Sequence, residues 1–207
     1  MIDLYTWKTD NGFKALHGFE ESGVEYTLKP VNLQEKEQFD PDYMKISPAH
    51  KIPAIIDHDG PGGETVSLCE SGAILKYIAT KAGGGLYPSD PLQQAKVDQW
   101  LFFGSAQFTT LAQQYGFYMV RNPEDVPAGK EHYTTVLTEM FSILDKHLGD
   151  TEFMAGDFSI ADISIYSDTR IYGDDKWIGL ADYPSLKRWH DVISGRPAAE
   201  RAWSAFE

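Results

Sequence analysis

The sequence changes character at one place, and that change constrains the fold more than any other feature. Up to residue 82, short runs with a period of two alternate with stretches of helical period; from residue 91 onward only the helical period remains. Between them, residues 83–90 read GGGLYPSD, a composition that terminates elements and suits a linker. The division this predicts is an α/β domain over 1–82, a linker over 83–90 and an all-helical domain over 91–207.

Met1 to about Trp7 reads as a buried strand. After Asn11, the apolar positions Phe13, Leu16 and Phe19 predict a helix closed by Gly23, and Val24–Val31 alternates as a second strand. Two strands joined through a helix should run parallel with a right-handed connection. Asp40-Pro41 offers an N-cap followed by proline, opening a short helix through Tyr43, Met44 and Ile46. Lys51–Ile56 is a third strand with proline near its start, where a missing N–H is tolerated. Residues 57–64, DHDGPGGE, turn the chain back into Thr65–Leu68 as a hairpin, and Glu70-Ser71-Gly72 leads into a helix carrying Ala73, Ile74, Tyr77 and Ile78. The expectation is a four-stranded mixed sheet with helices on both faces. Beyond the linker, helices are expected over 90–121, 128–148, 159–172, 183–194 and 197–206, with no internal repeat.

Eighteen basic residues against thirty-one acidic ones give a net charge of −13, which repels phosphate backbones and anionic membranes. Neither nucleic acid nor a membrane is an expected partner, although a few local donors suffice for a small anion. The single cysteine, Cys69, excludes an intramolecular disulfide, a CxxC pair and a cysteine-rich zinc site, so a reducing compartment and no metal are expected. No charged segment followed by an apolar one opens the chain, and no run approaches the ~18 apolar residues of a membrane span. The cytoplasm is the expected location.

Two local arrangements carry chemistry. TDNG, residues 9–12, joins the first strand to the first helix, a place suited to anions and reactive atoms; Asn11 in that position is equally readable as an ordinary helix cap. In Ser159-Ile160-Ala161-Asp162, the serine can cap a helix while the aspartate reaches back to a free amide, a structural capping box.

KIPAI at 51–55, SLCESGAILKYIA at 67–79 and the capping box at 159–162, set in a small α/β domain followed by a helical one, resemble the cytosolic glutathione transferase family over essentially the whole chain. The resemblance implies a thioredoxin-like N-terminal domain, a cis-proline at Pro53 and glutathione as cosubstrate, bound as the thiol or as glutathione disulfide. The opening MIDLYTWKTDNGFK resembles the bacterial Nu-class, disulfide-bond oxidoreductase subgroup, which shows threonine, proline, asparagine and glycine where this chain has Thr9, Asp10, Asn11 and Gly12.

Because a free thiol titrates near pH ~8.5 and the thiolate is the nucleophile, the site must supply donors and positive potential at sulfur. The resemblance gives Thr9 and Asn11 that catalytic role. Asp10 departs from the pattern, since a carboxylate close to sulfur opposes thiolate formation. Glu70 would pair with the ammonium of the γ-glutamyl unit, and Ser71 with the helix amides would take its carboxylate. The backbone at Ile52, before Pro53, is implied to bond the cysteinyl portion. Lys51 or His50 would meet the glycine carboxylate, and Gln38 would reach the tripeptide. Solvated loop residues and an ordinary helix start are the alternative readings. His132, in Glu131-His132-Tyr133, stands where the subgroup places an arginine; a surface histidine is its alternative. Cys69 next to Glu70 reads as a structural cysteine rather than a nucleophile. Trp100, Phe102, Phe103, Phe108, Tyr115, Phe117 and Tyr118 mix core positions with candidate pocket positions.

The function implied is reduction of small disulfides by bound glutathione. Conjugation of glutathione to a small electrophile, reductive removal of a leaving group, and an idle binding scaffold are the competing expectations. A homodimer is implied by the resemblance alone.

Overall fold

In β1, Ile2–Thr6, the buried side chains Ile2, Leu4 and Thr6 alternate with half-buried Asp3 and Tyr5, the pattern of a strand with one face against a core. The computed structural model describes all 207 residues. They form two compact units, Met1–Pro88 together with Pro197–Glu207, and Ser89–Arg196.

The first unit continues with α1 (Asp10–Ser22), β2 (Tyr26–Pro30), α2 (Pro41–Ile46), β3 (Ala54–Asp57), β4 (Val66–Cys69) and α3 (Ser71–Lys81). The sheet order is β2-β1-β3-β4. β1 pairs in parallel with β2, Ile2 opposite Tyr26, while β3 is antiparallel to both β1 and β4. The sheet is therefore mixed and four-stranded. Gly23 closes α1 in the left-handed region, φ 69°, its N–H donating to the Phe19 carbonyl. Leu16, Phe19, Ile55, Ile74, Leu75 and Ile78 are buried in the core. α1 and α3 approach so closely at Gly18 that an added Cβ would lie 2.4 Å from Leu75 Cδ2, so a larger residue would have to displace Leu75 and Ile78.

On the other side, Val31, Tyr43, Ile52 and Ala54 form an apolar cluster on which Trp7, Cys69, Tyr5, Leu33 and Ile46 pack. β3 begins at Ala54, later than the expected Lys51. The Lys51 carbonyl instead accepts hydrogen bonds from the Tyr43 hydroxyl (2.6 Å) and Ser47 Oγ (2.8 Å), which take residues 51–53 out of the ladder.

The second unit holds α4 (Pro91–Phe102), α5 (Thr109–Gly116), α6 (Pro127–Leu148), α7 (Ile160–Tyr172) and α8 (Pro184–Ser194). The helix expected over 90–121 runs unbroken from Pro91 to Arg121, with π-helical segments at Phe103–Phe108 and Phe117–Arg121 following α4 and α5. α7 is buried along almost its whole length and is the centre of the unit. Its capping box is present, and Asp162 also accepts from Met154 N (2.9 Å) and Trp189 Nε1 (2.8 Å). Asp145 caps α8 by accepting from the amides of Ser185 and Leu186.

The last helix, α9 (Pro197–Ser204), departs from the expected 91–207 domain: residues 197–207 belong to the first unit. Trp203 stacks on Phe13 at 3.8 Å between ring centroids, Phe206 packs on Trp7 at 5.4 Å, and Arg201 Nε bonds Glu20 Oε2 at 2.6 Å. The apolar side of α9 finds its partners on α1 and in the turn before it.

Candidate functional site

After β1 the chain turns at Trp7, whose carbonyl accepts from the Thr9 amide at 2.8 Å. Thr9 is extended (φ −139°, ψ 165°), and its Oγ1 accepts from Gly12 N at 3.0 Å. Thr9 is thus the N-cap of α1, which corrects the reading of Asn11 as the cap. The turn determines the outcome: Gly12 comes so close to Trp7 that an added Cβ would lie 2.0 Å from its carbonyl oxygen. Because Thr9 Oγ1 accepts from Gly12, its own hydroxyl proton remains a donor.

Asn11 sits one residue into the helix. Its Oδ1 accepts from Ser71 Oγ at 3.1 Å and from Lys14 Nζ at 3.1 Å. Two donors occupy the two lone pairs of the amide oxygen, so the Nδ2 end is the donor end. Asp10 lies in the first turn of α1, where a carboxylate complements the helix dipole.

The Ser71–Asn11 bond ties the head of α1 to the head of α3. Ser71 is buried, and Glu70 before it is exposed with φ 75°, a left-handed conformation that costs a non-glycine residue about 1–3 kcal/mol. No side chain caps α3, so its first amides are left to solvent or to an anion. A carboxylate at these amides would lie beside Ser71 and the Glu70 side chain.

Ile52-Pro53 is a cis peptide, as the resemblance implies. The apolar cluster gathers the loops of the site: Trp7 stands two residues before Thr9, Ile52 immediately before Pro53, and Cys69 immediately before Glu70. Cys69 is a free, half-buried thiol in that cluster. Burial pushes the Tyr43 hydroxyl, which bonds the Lys51 carbonyl, above its ordinary pKa.

Thr9, Asn11, Glu70 and Ser71 are brought together, with Ile52 and Pro53 in the packed layer beside them. Gln38, Lys51 and His50 form a looser group. The Phe39 ring lies 5.2 Å from that of His50, the Lys51 side chain is exposed, and Gln38 Oε1 is buried without a hydrogen-bond partner. In the helical unit His132 is exposed on α6, its ring edge-on to Tyr133, which stacks on Tyr118 at 5.1 Å. Of the aromatic series, Phe108 and Tyr115 are core residues, whereas Phe102 is 63% exposed.

Sequence reasoning missed Lys14. This lysine is fully buried and touches the amide of Asn11. The available signal was its spacing, three residues after Asn11 and so on the same helical face.

Residues 2–80 match the family described as Glutathione S-transferase, N-terminal domain, and residues 108–197 match Glutathione S-transferase, C-terminal domain. The chain is 38% identical over 205 residues to the disulfide-bond oxidoreductase YfcG of Escherichia coli K12, covering 98% of this chain and 94% of that protein. A Pseudomonas putida glutathione transferase, solved with one glutathione disulfide bound per subunit, superposes with a TM-score of 0.94 at 31% identity over 100% of this chain and 92% of that one. A Pseudomonas fluorescens Pf-5 family member with two glutathione molecules bound gives 0.92 at 32% identity over 98% and 92%.

Proposed function

Because this chain belongs to the glutathione S-transferase family, we propose that it is an enzyme that binds glutathione at the heads of α1 and α3 and uses the bound thiolate to reduce small disulfides. The observation that carries this reading is the Ser71 Oγ–Asn11 Oδ1 hydrogen bond, which couples an uncapped helix N-terminus suited to a carboxylate with a turn of neutral donors suited to sulfur. The γ-glutamyl carboxylate takes the α3 amides and Ser71, its ammonium takes Glu70, and the cysteinyl backbone lies along Ile52-Pro53. The Thr9 hydroxyl and Asn11 Nδ2 donate to the thiolate.

The thiolate attacks one sulfur of the disulfide, forming a mixed disulfide with glutathione and releasing one thiolate. A second glutathione thiolate then attacks the glutathionyl sulfur, giving glutathione disulfide and the second thiolate product. Two electrons pass from two glutathiones to the substrate, and no enzyme cysteine takes part. The name of the similar YfcG, a disulfide-bond oxidoreductase, supports the choice of disulfide chemistry over conjugation to an electrophile.

Gln38, whose buried Oε1 lacks a donor within the chain, and Lys51 extend the site toward the glycine end of the tripeptide. The working form in this reading is a cytoplasmic homodimer without a metal. The test is turnover of 2-hydroxyethyl disulfide against that of an aryl halide. Thr9→Val and Asn11→Ala should each lower kcat/KM for the disulfide by about 10–100-fold, the factor set by a lost hydrogen bond to a charged group, about 1.5–3 kcal/mol, while Cys69→Ala leaves it within twofold. Aryl-halide turnover without disulfide turnover overturns the reaction, and calorimetry without binding of glutathione or its disulfide would favour a scaffold.

A further inference from the structure

A lysine with no exposed surface is costly to keep, because removing an ammonium from water carries a penalty of several kcal/mol that only close partners offset. Lys14 Nζ donates to Asn11 Oδ1 at 3.1 Å, the same oxygen that takes the Ser71 hydroxyl at 3.1 Å. Three residues on two helices therefore converge on one atom. We propose that Lys14 is a positioning residue for the reaction: its buried ammonium locks the Asn11 amide with Nδ2 as the donor toward the thiolate and supplies the positive potential that neutral Thr9 and Asn11 lack.

The physical effect has two parts. An amide whose oxygen is held by a cation is polarised, so its N–H becomes a stronger donor. An ammonium shielded from water also acts at a distance through the low local dielectric, whereas an exposed one is screened. The charged and titratable groups on the elements around it are Lys8 in the turn, Asp10, His17, Glu20 and Glu21 on α1, Glu70 at the head of α3 with Lys76, Tyr77 and Lys81 farther along it, and Glu200 and Arg201 on α9. His17 pairs with Glu21 at 3.3 Å and Arg201 with Glu20 at 2.6 Å. The lysine is thus the cation that contacts Asn11 itself.

This inference rests on the glutathione-thiolate reading of the site. Lys14→Gln keeps a donor for Asn11 without the charge, Lys14→Met removes both, and Lys14→Arg keeps the charge. Each full-length variant is titrated with glutathione while the ultraviolet absorbance of the bound thiolate is followed against pH, and affinity for S-methylglutathione serves as a readout that does not depend on the thiol. The expected result is a bound-thiol pKa raised by about one unit in Lys14→Gln and more in Lys14→Met, hence about tenfold less thiolate at neutral pH. Lys14→Arg should stay nearer the wild-type value, and S-methylglutathione affinity should hold within about threefold, a binding change far smaller than the tenfold loss of thiolate. A lower unfolding midpoint with an unchanged thiol pKa in Lys14→Gln makes the lysine purely structural and overturns the inference. If Lys14→Met does not fold, the comparison of Lys14→Gln with Lys14→Arg decides. A wild-type protein that binds glutathione without lowering its thiol pKa overturns both this inference and the reading beneath it, whereas a lowered value retained in all folded variants overturns only the inference.

Discussion

Replacing Asp162 by alanine should cost far more than the loss of a helix cap. A cap alone is worth about 1 kcal/mol. Here the carboxylate, fully buried, accepts from four donors: Met154 N at 2.9 Å and Trp189 Nε1 at 2.8 Å on Oδ1, and Ser159 N at 3.0 Å and Ser159 Oγ at 3.1 Å on Oδ2. Burial pushes its carboxyl pKa up, and those hydrogen bonds oppose the shift. Truncation leaves the two amides and the indole N–H without acceptors, at roughly 1–3 kcal/mol each. Water entering the vacated volume recovers part of this, so a net loss of about 3–5 kcal/mol is expected. Asp162→Asn retains an oxygen for Met154 and Trp189 and places an NH2 group against the Ser159 amide, which should limit the loss to about 1–2 kcal/mol. Urea unfolding followed by circular dichroism and tryptophan fluorescence measures both variants. Equal losses for alanine and asparagine, or a loss near 1 kcal/mol for alanine, would refute the view that the cap residue is a hub joining α7, α8 and the loop at Met154.

Two further outcomes follow from named contacts. Trp203→Ala should destabilise the protein by about 2–3 kcal/mol, less than a fully buried aromatic because Trp203 is half-buried, and should expose the α1 amides to faster hydrogen exchange; unchanged exchange there would remove α9 from the support of the site. The Asp57 cluster makes stability pH-dependent at both ends. Burial raises the Asp57 carboxyl, but its bonds to Lys81 Nζ (2.8 Å), the Asp59 amide (3.0 Å) and the Tyr77 hydroxyl (2.7 Å) bring it below its ordinary value, so its contribution is present above about pH 4 and lost as pH falls through the folded pKa. Tyr77, pushed up to about 12 by burial first and by Asp57 next, contributes fully below about pH 10 and loses that contribution as pH rises toward 12. Tyr77→Phe should flatten the alkaline limb of the stability profile and leave the acid limb sloping; an unchanged alkaline limb contradicts this assignment.

The sequence announced what is local. Period-two runs, Gly23, Asp40-Pro41 and the Ser159–Asp162 box each act within a few residues, and the elements they mark are present. What depends on packing was not readable. Whether Thr9 or Asn11 caps α1 depends on the Trp7 carbonyl and the close approach of Gly12. The apolar face of α9 is plain in the sequence, but its choice of Phe13 and Trp7 as partners is not. The full burial of Lys14 is likewise a product of packing.

Asp10 is the residue on which the electrostatics of the proposed cradle turns. An acid in the first turn of α1 stabilises the helix through its dipole, and the same charge opposes an anion at the same end. Across residues 7–12 the charge of Asp10 is matched in number by that of Lys8, which is exposed and screened by solvent. Lys14, four residues after Asp10 and so on the same side of α1, adds a positive charge at Asn11 Oδ1, where water does not screen it. Asp10 is half-buried at the head of α1, whereas the ammonium of Lys14 is fully buried. In the proposed cradle the buried ammonium offsets the acid, and the two charges are best understood together as features of α1 rather than as a defect with an unrelated buried lysine behind it.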